Sequence, residues 1–541
     1  MTVPESTLPT LISPHNRALP LLTLTDLRIL ETQAAAALPQ HTLMSRAGKA
    51  AASYLQELIT RDTSIEKSKH KVWVVAGPGN NGGDALIVAA ELRRASIAVD
   101  LCMPLEVKPD DARWALDTAR AAGVAITSTP PASLESYTWL VDGMFGIGLT
   151  RPLEGVFAAI ARQLSQRTKA KSRKGGVLAL DTPSGLDSDT GTVVGEKQGQ
   201  GGGQGESQND STAVHATHTI TFIGAKPGLF TAQGRDLAGT VTVAPIGIDS
   251  TTRTAVQLNA PALFADFLPP RDFATNKGTF GSLAVVGGDT GMCGAPILAS
   301  RAALYTGAGK VHVALLGDGA PPYDPPHPEL MLHAIDDLPL DKMDALAVGC
   351  GMGLRDIATR VMHDVLTLDV PKLFDADALN LISADSSLAA EVTARGVQGD
   401  PCVLTPHPLE AARLLGTNAR SVQRDRLAAA RALAARFAAV VVLKGTGTVI
   451  AAPDGRVAIN PTGNAALATG GTGDVLGGII GALLAQHLPR YEAALAGVYL
   501  HGLAADTLSA QGHGPAGLTA GELAPMVRTL LNRMFYPATG G

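Results

Sequence analysis

Four loops carry residues whose types and spacing could do chemistry. Asp181-Thr-Pro-Ser-Gly-Leu-Asp187 sets a carboxylate in front of a turn shaped by Pro183 and Gly185. Gly77-Pro-Gly-Asn-Asn-Gly-Gly-Asp84 lets the backbone approach a ligand closely, and the helix expected after it favours a phosphate. Asp142-Gly-Met-Phe-Gly-Ile-Gly-Leu-Thr-Arg-Pro152 is the third loop. Thr469-Gly-Gly-Thr-Gly-Asp474 is the fourth, leading into an apolar helix. Free N–H groups of a Gly-Thr-Gly-Asp helix start make an anion hole. Asp474 beside that hole can remove a proton from a hydroxyl during phosphoryl transfer. Upstream, Val441-Val-Leu-Lys-Gly-Thr-Gly-Thr448 runs a strand into a turn whose lysine could meet phosphate or ribose. Neither half contains GxxxxGK[ST], which excludes a Walker-type site.

These loops need strands behind them, and the sequence supplies two strand–loop–helix rhythms. The first has strands at 71–75, 97–103, 138–141, 177–180, 219–222 and 241–244, with helices at 84–94 and 112–122. Two helices, from about 25 to 37 and 43 to 58, precede it. The second has strands at 282–286, 311–315, 345–348, 372–374, 403–404 and 440–443. Alternating β and α elements imply a parallel sheet covered on both faces. In such a sheet, ligands bind beyond the carboxyl ends of the strands, where these loops sit.

Glycine is plentiful, 59 of 541 residues, while aromatics make up only 4%. No Gly-X-Y period exists, which excludes collagen. With 45% hydrophobic and 17% charged residues the chain can bury large cores, which excludes wholesale disorder. The net charge of −5 leaves no basic patch, so nucleic acid is not an expected partner. Cys102, Cys293, Cys350 and Cys402 are scattered and read as buried thiols of a reducing compartment. No signal peptide is evident, and the apolar run 475–485 is too short to span a membrane. The expectation is therefore a cytoplasmic protein without membrane association. A flexible tail is expected over 1–20, one domain over 21–250 with a low-complexity insertion at 191–211, a linker over 251–269, and a second domain over 270–541.

The first half resembles the NAD(P)H-hydrate epimerase domain through GPGNNGGD, DGMFGIGLTRPL and DTPSGLDSDTG, together with Met44, Arg46-Ala-Gly48 and Phe222-Ile-Gly-Ala-Lys-Pro-Gly-Leu229. That resemblance implies a Rossmann-like αβα fold and interconversion of the R and S forms of hydrated NADH or NADPH. It implies a potassium ion held by Asn81, Asp142 and Ser184. Asn80, Asn81, Gly82, Gly83, Asp84 and Gly146, Ile147, Gly148, Leu149, Thr150, Arg151 would surround the dinucleotide. Asp181 would be the general acid/base at the hydrated C6 carbon. Ala85 and Ile147 depart from the family pattern, which usually has Gly and Thr there.

The second half looks like the ribokinase-like superfamily. Asn276-Lys-Gly278, the 287–295 loop GGDTGMCGA, RAALYTGAG at 301–309, Pro328-Glu-Leu-Met331, Asp375-Ala-Asp-Ala-Leu-Asn380 and Thr405-Pro-His-Pro-Leu-Glu410 narrow it to the ADP/ATP-dependent NAD(P)H-hydrate dehydratases. The resemblance implies a second αβα domain. Ala295, Gly353, His407 and Asp474 would contact the hydrate. Lys444, Gly445, Thr446, Gly447, Thr448 and Gly473 would hold the adenine nucleotide, ADP or ATP, with magnesium on its phosphates. Asp289 and Leu409 stand where Ser and Gly are common. His407 between two prolines also suits a rigid turn, and Asp375 and Asp377 suit either magnesium or a helix cap.

Together the halves imply a bifunctional enzyme that epimerises NADHX and NADPHX and dehydrates the S form, and a homo-oligomer. Two alternatives stand beside it. A vitamin-type kinase would give a stable phosphorylated product. A dinucleotide-sensing module with a catalytically dead first half would bind without exchanging epimers.

Overall fold

The structure, a computed structural model, describes residues 11–169, 175–195, 212–250, 254–318 and 321–536. The chain forms two compact units, one of residues 1–15 and 19–254, the other of 16–18 and 255–541.

In the first unit the strands are β1 (Lys71–Ala76), β2 (Ala98–Cys102), β3 (Ala125–Thr127), β4 (Trp139–Gly143), β5 (Gly176–Leu180), β6 (His218–Phe222) and β7 (Thr240–Ala244). They pair in the order β3-β2-β1-β4-β5-β6-β7, all parallel. Alternation of side chains sends Val72, Val74 and Ala76 into one core and Trp73 and Val75 into another. The first core is closed by the helices Thr42–Arg61, Asn80–Arg94 and Asp110–Ala121, the second by Gly155–Lys169. This is the Rossmann-like three-layer arrangement.

In the second unit the strands are β8 (Val256–Leu258), β9 (Ser282–Gly287), β10 (Lys310–Leu315), β11 (Met331–Ala334), β12 (Ala345–Val348), β13 (Lys372–Phe374), β14 (Val403–Leu404), β15 (Val440–Leu443), β16 (Val449–Ala451) and β17 (Val457–Ile459). Their order is β11-β10-β9-β12-β13-β14-β15-β16-β17-β8, parallel except where β16 runs antiparallel to both neighbours. Leu283, Val285, Val440 and Val442 share a core with the helices Gly294–Thr306, Thr472–Ala485, Arg490–Ala510 and Ala520–Phe535. The opposite-facing Ala284, Val286, Val348 and Val441 are equally buried. The sheet is therefore covered on both faces, as in ribokinase-like proteins.

Several elements differ from the sequence expectation. The helix expected from 84 begins at Asn80, so Asn-Asn-Gly-Gly is its first turn. Residues 1–10 lie outside the described residues, but Ile12 exchanges two backbone hydrogen bonds of 2.8 Å with Val243, so the segment expected as a free tail is anchored there. Residues 196–211 of the expected insertion also lie outside the described residues. Residues 191–195 are instead built into the Asp181 loop, where Val194 N–H donates to the Gly185 carbonyl at 2.8 Å. The expected linker 251–269 contains β8, paired with β17, and the fully buried Phe264. Among the described residues, no helix is long and apolar enough to cross a membrane.

Candidate active sites

In the first sheet the chain runs outward from β1 on one side and from β4 on the other, so a crevice opens beyond their carboxyl ends. The two loops there touch through their backbones. Gly77 N–H donates to the Gly143 carbonyl at 3.0 Å, and a Cβ on Gly77 would fall 1.7 Å from the Met144 carbonyl oxygen. A cavity of about 560 Å³ results, lined among others by Asn80, Asn81, Asp84, Gly146, Ile147, Gly148, Leu149 and Asp181. That volume suits a bound small molecule. Thr150 and Arg151 do not line it and are exposed. Gly82 and Gly83 do not line it either. A Cβ on Gly82 would meet the Gly77 carbonyl oxygen at 1.9 Å, and one on Gly83 the Met44 Cε at 2.7 Å, so these glycines let the helix pack.

Asp181 leaves β5 with φ +66°, a conformation costly for a side-chain-bearing residue. Its N–H donates to the Ile220 carbonyl at 2.7 Å. Its Oδ1 accepts from Lys226 Nζ at 2.6 Å, while Oδ2 turns to the Gly146–Ile147 loop, 3.4 Å from the Ile147 N–H. Lys226 received no role from the sequence, although it is the one charge in the apolar stretch 222–230. Three further carboxylates, Glu31, Asp84 and Asp111, share the cavity. Burial, then the neighbouring Asp181, Glu31 and Asp111 charges, pushes Asp84 well above the usual carboxylate range, and burial followed by Asp181 raises Glu31.

Asp142 and Ser184 meet below the cavity, both fully buried. Ser184 Oγ donates to Asp142 Oδ1 at 2.6 Å, and Ser184 N–H donates to Oδ2 at 2.8 Å. Complete burial raises Asp142 to about 6 in spite of these bonds. Asn81 lies nearby against Gly146, with its amide oxygen and nitrogen both buried and unbonded. Buried amides are rarely left so. A cation with oxygen ligands would satisfy the amide oxygen, so this donor set fits an alkali ion.

The second site forms beyond β9, β12, β13, β14 and β15. The loop after β9 carries Asp289 and leads to Ala295, at the start of the helix Gly294–Thr306. Asp289 forms a two-bonded ion pair with Arg355. Gly353 sits between them with φ +71°, where a Cβ would come 2.6 Å from Asp289 Oδ2. Its N–H donates to Asp377 Oδ2 at 2.9 Å. Asp377 therefore fastens a loop, whereas Asp375 binds Lys444 Nζ through Oδ1 at 2.6 Å.

Lys444 and Asp375 converge on the open N-terminus of the helix Thr472–Ala485. A Cβ on Gly473 would lie 3.7 Å from Lys444 Nζ and 3.9 Å from Asp375 Oδ2. Burial raises the Asp474 carboxyl. A hydrogen bond from the Cys350 thiol and the Lys444 charge oppose this rise, and the Asp375 charge adds to it. His407 caps the helix Pro408–Leu415, its Nδ1 accepting from Leu409 and Glu410 N–H at 3.1 and 3.2 Å. The turn reading of His407 is thus realised, and its Nε2 lies 3.2 Å from Glu410 Oε1. Burial pushes Glu410 up to about 7.

The loop of Lys444 to Thr448 rests on Arg426, a residue that carried no sequence signal. Arg426 is 1% exposed, and its guanidinium donates to the Leu443 and Lys444 carbonyls at 3.1 and 3.2 Å. His501, likewise unforeseen, is buried against the Thr472 backbone and held down to about 4 by that burial.

A family model described as NAD(P)H-hydrate dehydratase matches residues 283–527, and one described as YjeF-related protein N-terminus matches residues 40–228. The chain is also 36% identical over 520 residues to the bifunctional NAD(P)H-hydrate repair enzyme Nnr of Escherichia coli (strain K12), covering 94% of this chain and 93% of that one. The chain belongs to the family of bifunctional NAD(P)H-hydrate repair enzymes. Beside this repair-enzyme match, the second half alone is 50% identical to the ADP-dependent (S)-NAD(P)H-hydrate dehydratase of Neisseria meningitidis serogroup B, over 48% of this chain and 88% of that one. Among solved structures, the ADP/ATP-dependent NAD(P)H-hydrate dehydratase from Bacillus subtilis aligns at 34% identity and a TM-score of 0.46, over 51% of this chain and 98% of that one.

Proposed function

We propose that the first unit equilibrates the R and S forms of NADHX and NADPHX and that the second returns the S form to the dihydronicotinamide. The observation that carries this reading is one carboxylate in each unit, Asp181 at the end of β5 bordering a cavity and Asp474 in the first turn of a helix whose start is open.

In the first unit, C6 of the hydrate carries both a hydroxyl and the ring nitrogen. Asp181 takes the hydroxyl proton, the C6–N1 bond opens with its electron pair going to nitrogen, and re-closure on either face restores the proton. Asn81, Asp142 and Ser184 would hold potassium, which would supply a fixed positive charge near the dinucleotide. Asn80, Asp84 and the 146–149 loop bind the substrate. Replacing potassium with a large organic cation is expected to weaken hydrate binding in titrations and to slow exchange.

In the second unit, Asp474 takes the C6 hydroxyl proton as the terminal phosphoryl group of ADP or ATP is transferred to that oxygen. Phosphate is a far better leaving group than hydroxide. Its departure, with a proton from C5, leaves NAD(P)H, phosphate and AMP or ADP. Lys444 meets the phosphate rather than the ribose, since its ammonium lies beside Gly473 at the helix start. Gly445 to Thr448 complete the nucleotide site, and Ala295, Gly353 and the His407 turn form the hydrate side. Magnesium bound to the nucleotide would supply charge neutralisation at its phosphates. Among the described residues no three His, Cys, Asp or Glu side chains gather as a cage for it. Asp474→Asn is expected to bind AMP with little change while phosphate release falls by roughly 10²-fold or more. Undiminished release would remove Asp474 from the role of base.

A further inference from the structure

We infer that Lys226 is the positioning residue of the epimerase site, holding Asp181 so that Oδ2 alone carries the proton. The inference rests on Asp181 being the acid/base of that site. Lys226 is 1% exposed, and its ammonium has three protons to donate. All three have acceptors: Asp181 Oδ1 at 2.6 Å, Thr221 Oγ1 at 2.6 Å and the Phe222 carbonyl at 2.9 Å. None is left for a substrate, so Lys226 acts through Asp181 although it borders the cavity.

The two oxygens of Asp181 are thereby made unequal. Oδ1 is fixed by the ammonium and by the Phe222 N–H at 3.4 Å. Oδ2 faces the cavity side, where Gly146 leaves room; a Cβ there would stand 3.0 Å from it. Asp181 sits on a backbone of positive φ, with no regular element continuing to steer its side chain. The anchor on Oδ1 supplies that direction, as second groups do for catalytic side chains generally.

A double-mutant cycle tests this with the full-length protein and a mixture of NADHX epimers. Lys226→Met is expected to lower kcat for exchange by roughly 10²-fold while the affinity for NADHX changes by less than about threefold. Thr221→Val, which keeps the ammonium but removes one of its acceptors, is expected to cost several-fold in kcat, and it stands in if Lys226→Met does not fold. In an Asp181→Asn background, each change is expected to alter the residual rate by less than about twofold, because nothing remains to be positioned. Equal penalties in both backgrounds, or unchanged kcat in both variants, would overturn the inference and leave Asp181 as the acid/base. Loss of all exchange in the unmutated protein would instead overturn the functional reading of this unit, and the inference with it.

Discussion

At the scale of single residues, the two carboxylates have unequal surroundings, and the consequences differ. Removing Asp181 altogether strands the Lys226 ammonium inside the protein. Asp181→Ala is therefore expected to destabilise the first unit by about 3–5 kcal/mol, the cost of orphaning one member of a buried pair. Asp181→Asn keeps an acceptor for Lys226 and is expected to cost less, while still slowing exchange to a small residual rate. Thermal unfolding of the two variants side by side checks the difference. His501 makes a second prediction. Unfolded, it takes up a proton below about 6.5; folded, burial holds it at about 4. Between those values the unfolded chain binds the extra proton, so stability falls as pH falls, by about 3 kcal/mol over the whole window. A His501→Asn variant should show a shallower loss of Tm between pH 7 and 5 than the parent. The two carboxylates proposed as acid/base groups were readable because Asp181 and Asp474 each stand within a short, local motif. Their partners were not. Lys226 reaches Asp181 from 45 positions away, and Lys444 reaches Asp375 from 69, so only the fold reveals either pair.

At the scale of elements, glycine does two jobs that composition alone cannot separate. In the helix Thr472–Ala485, a Cβ on Gly478 would lie 1.9 Å from the Ala299 carbonyl oxygen on the helix Gly294–Thr306. Nothing stands within 4 Å of a Cβ on Gly470. Gly478→Ala is therefore expected to destabilise the second unit by about 3 kcal/mol, because two backbones must separate. Gly470→Ala is expected to fall within about 0.5 kcal/mol of the parent. Equal melting temperatures for the two would refute the packing account. The strand–helix rhythm was readable because apolar runs and Gly-rich ends recur in order. The start of the helix at Asn80 was not, since Asn and Gly are poor helix formers and contacts with Gly77 and Met44 override that preference. β8 was hidden for another reason: three residues carry no period, and its partner β17 lies some 200 residues on.

At the scale of the whole molecule, the fusion has a chemical logic. Hydration of NAD(P)H yields both epimers, and a kinase-like site built around one stereocentre uses only the S form. An epimerase on the same chain drains the R form through the same outlet. The vitamin-type kinase alternative leaves the cavity of the first unit without a task, and the sensing alternative leaves Asp181 and its lysine without one. The most direct measurement mixes the purified protein with acid-hydrated NADH, both epimers present, and either ADP or ATP with magnesium and potassium. The dihydronicotinamide absorbance is expected to recover fully with at least one of the two nucleotides. Recovery that stops at the S fraction, persisting through a long incubation, would contradict the epimerase assignment, and no recovery with either nucleotide would contradict the dehydratase.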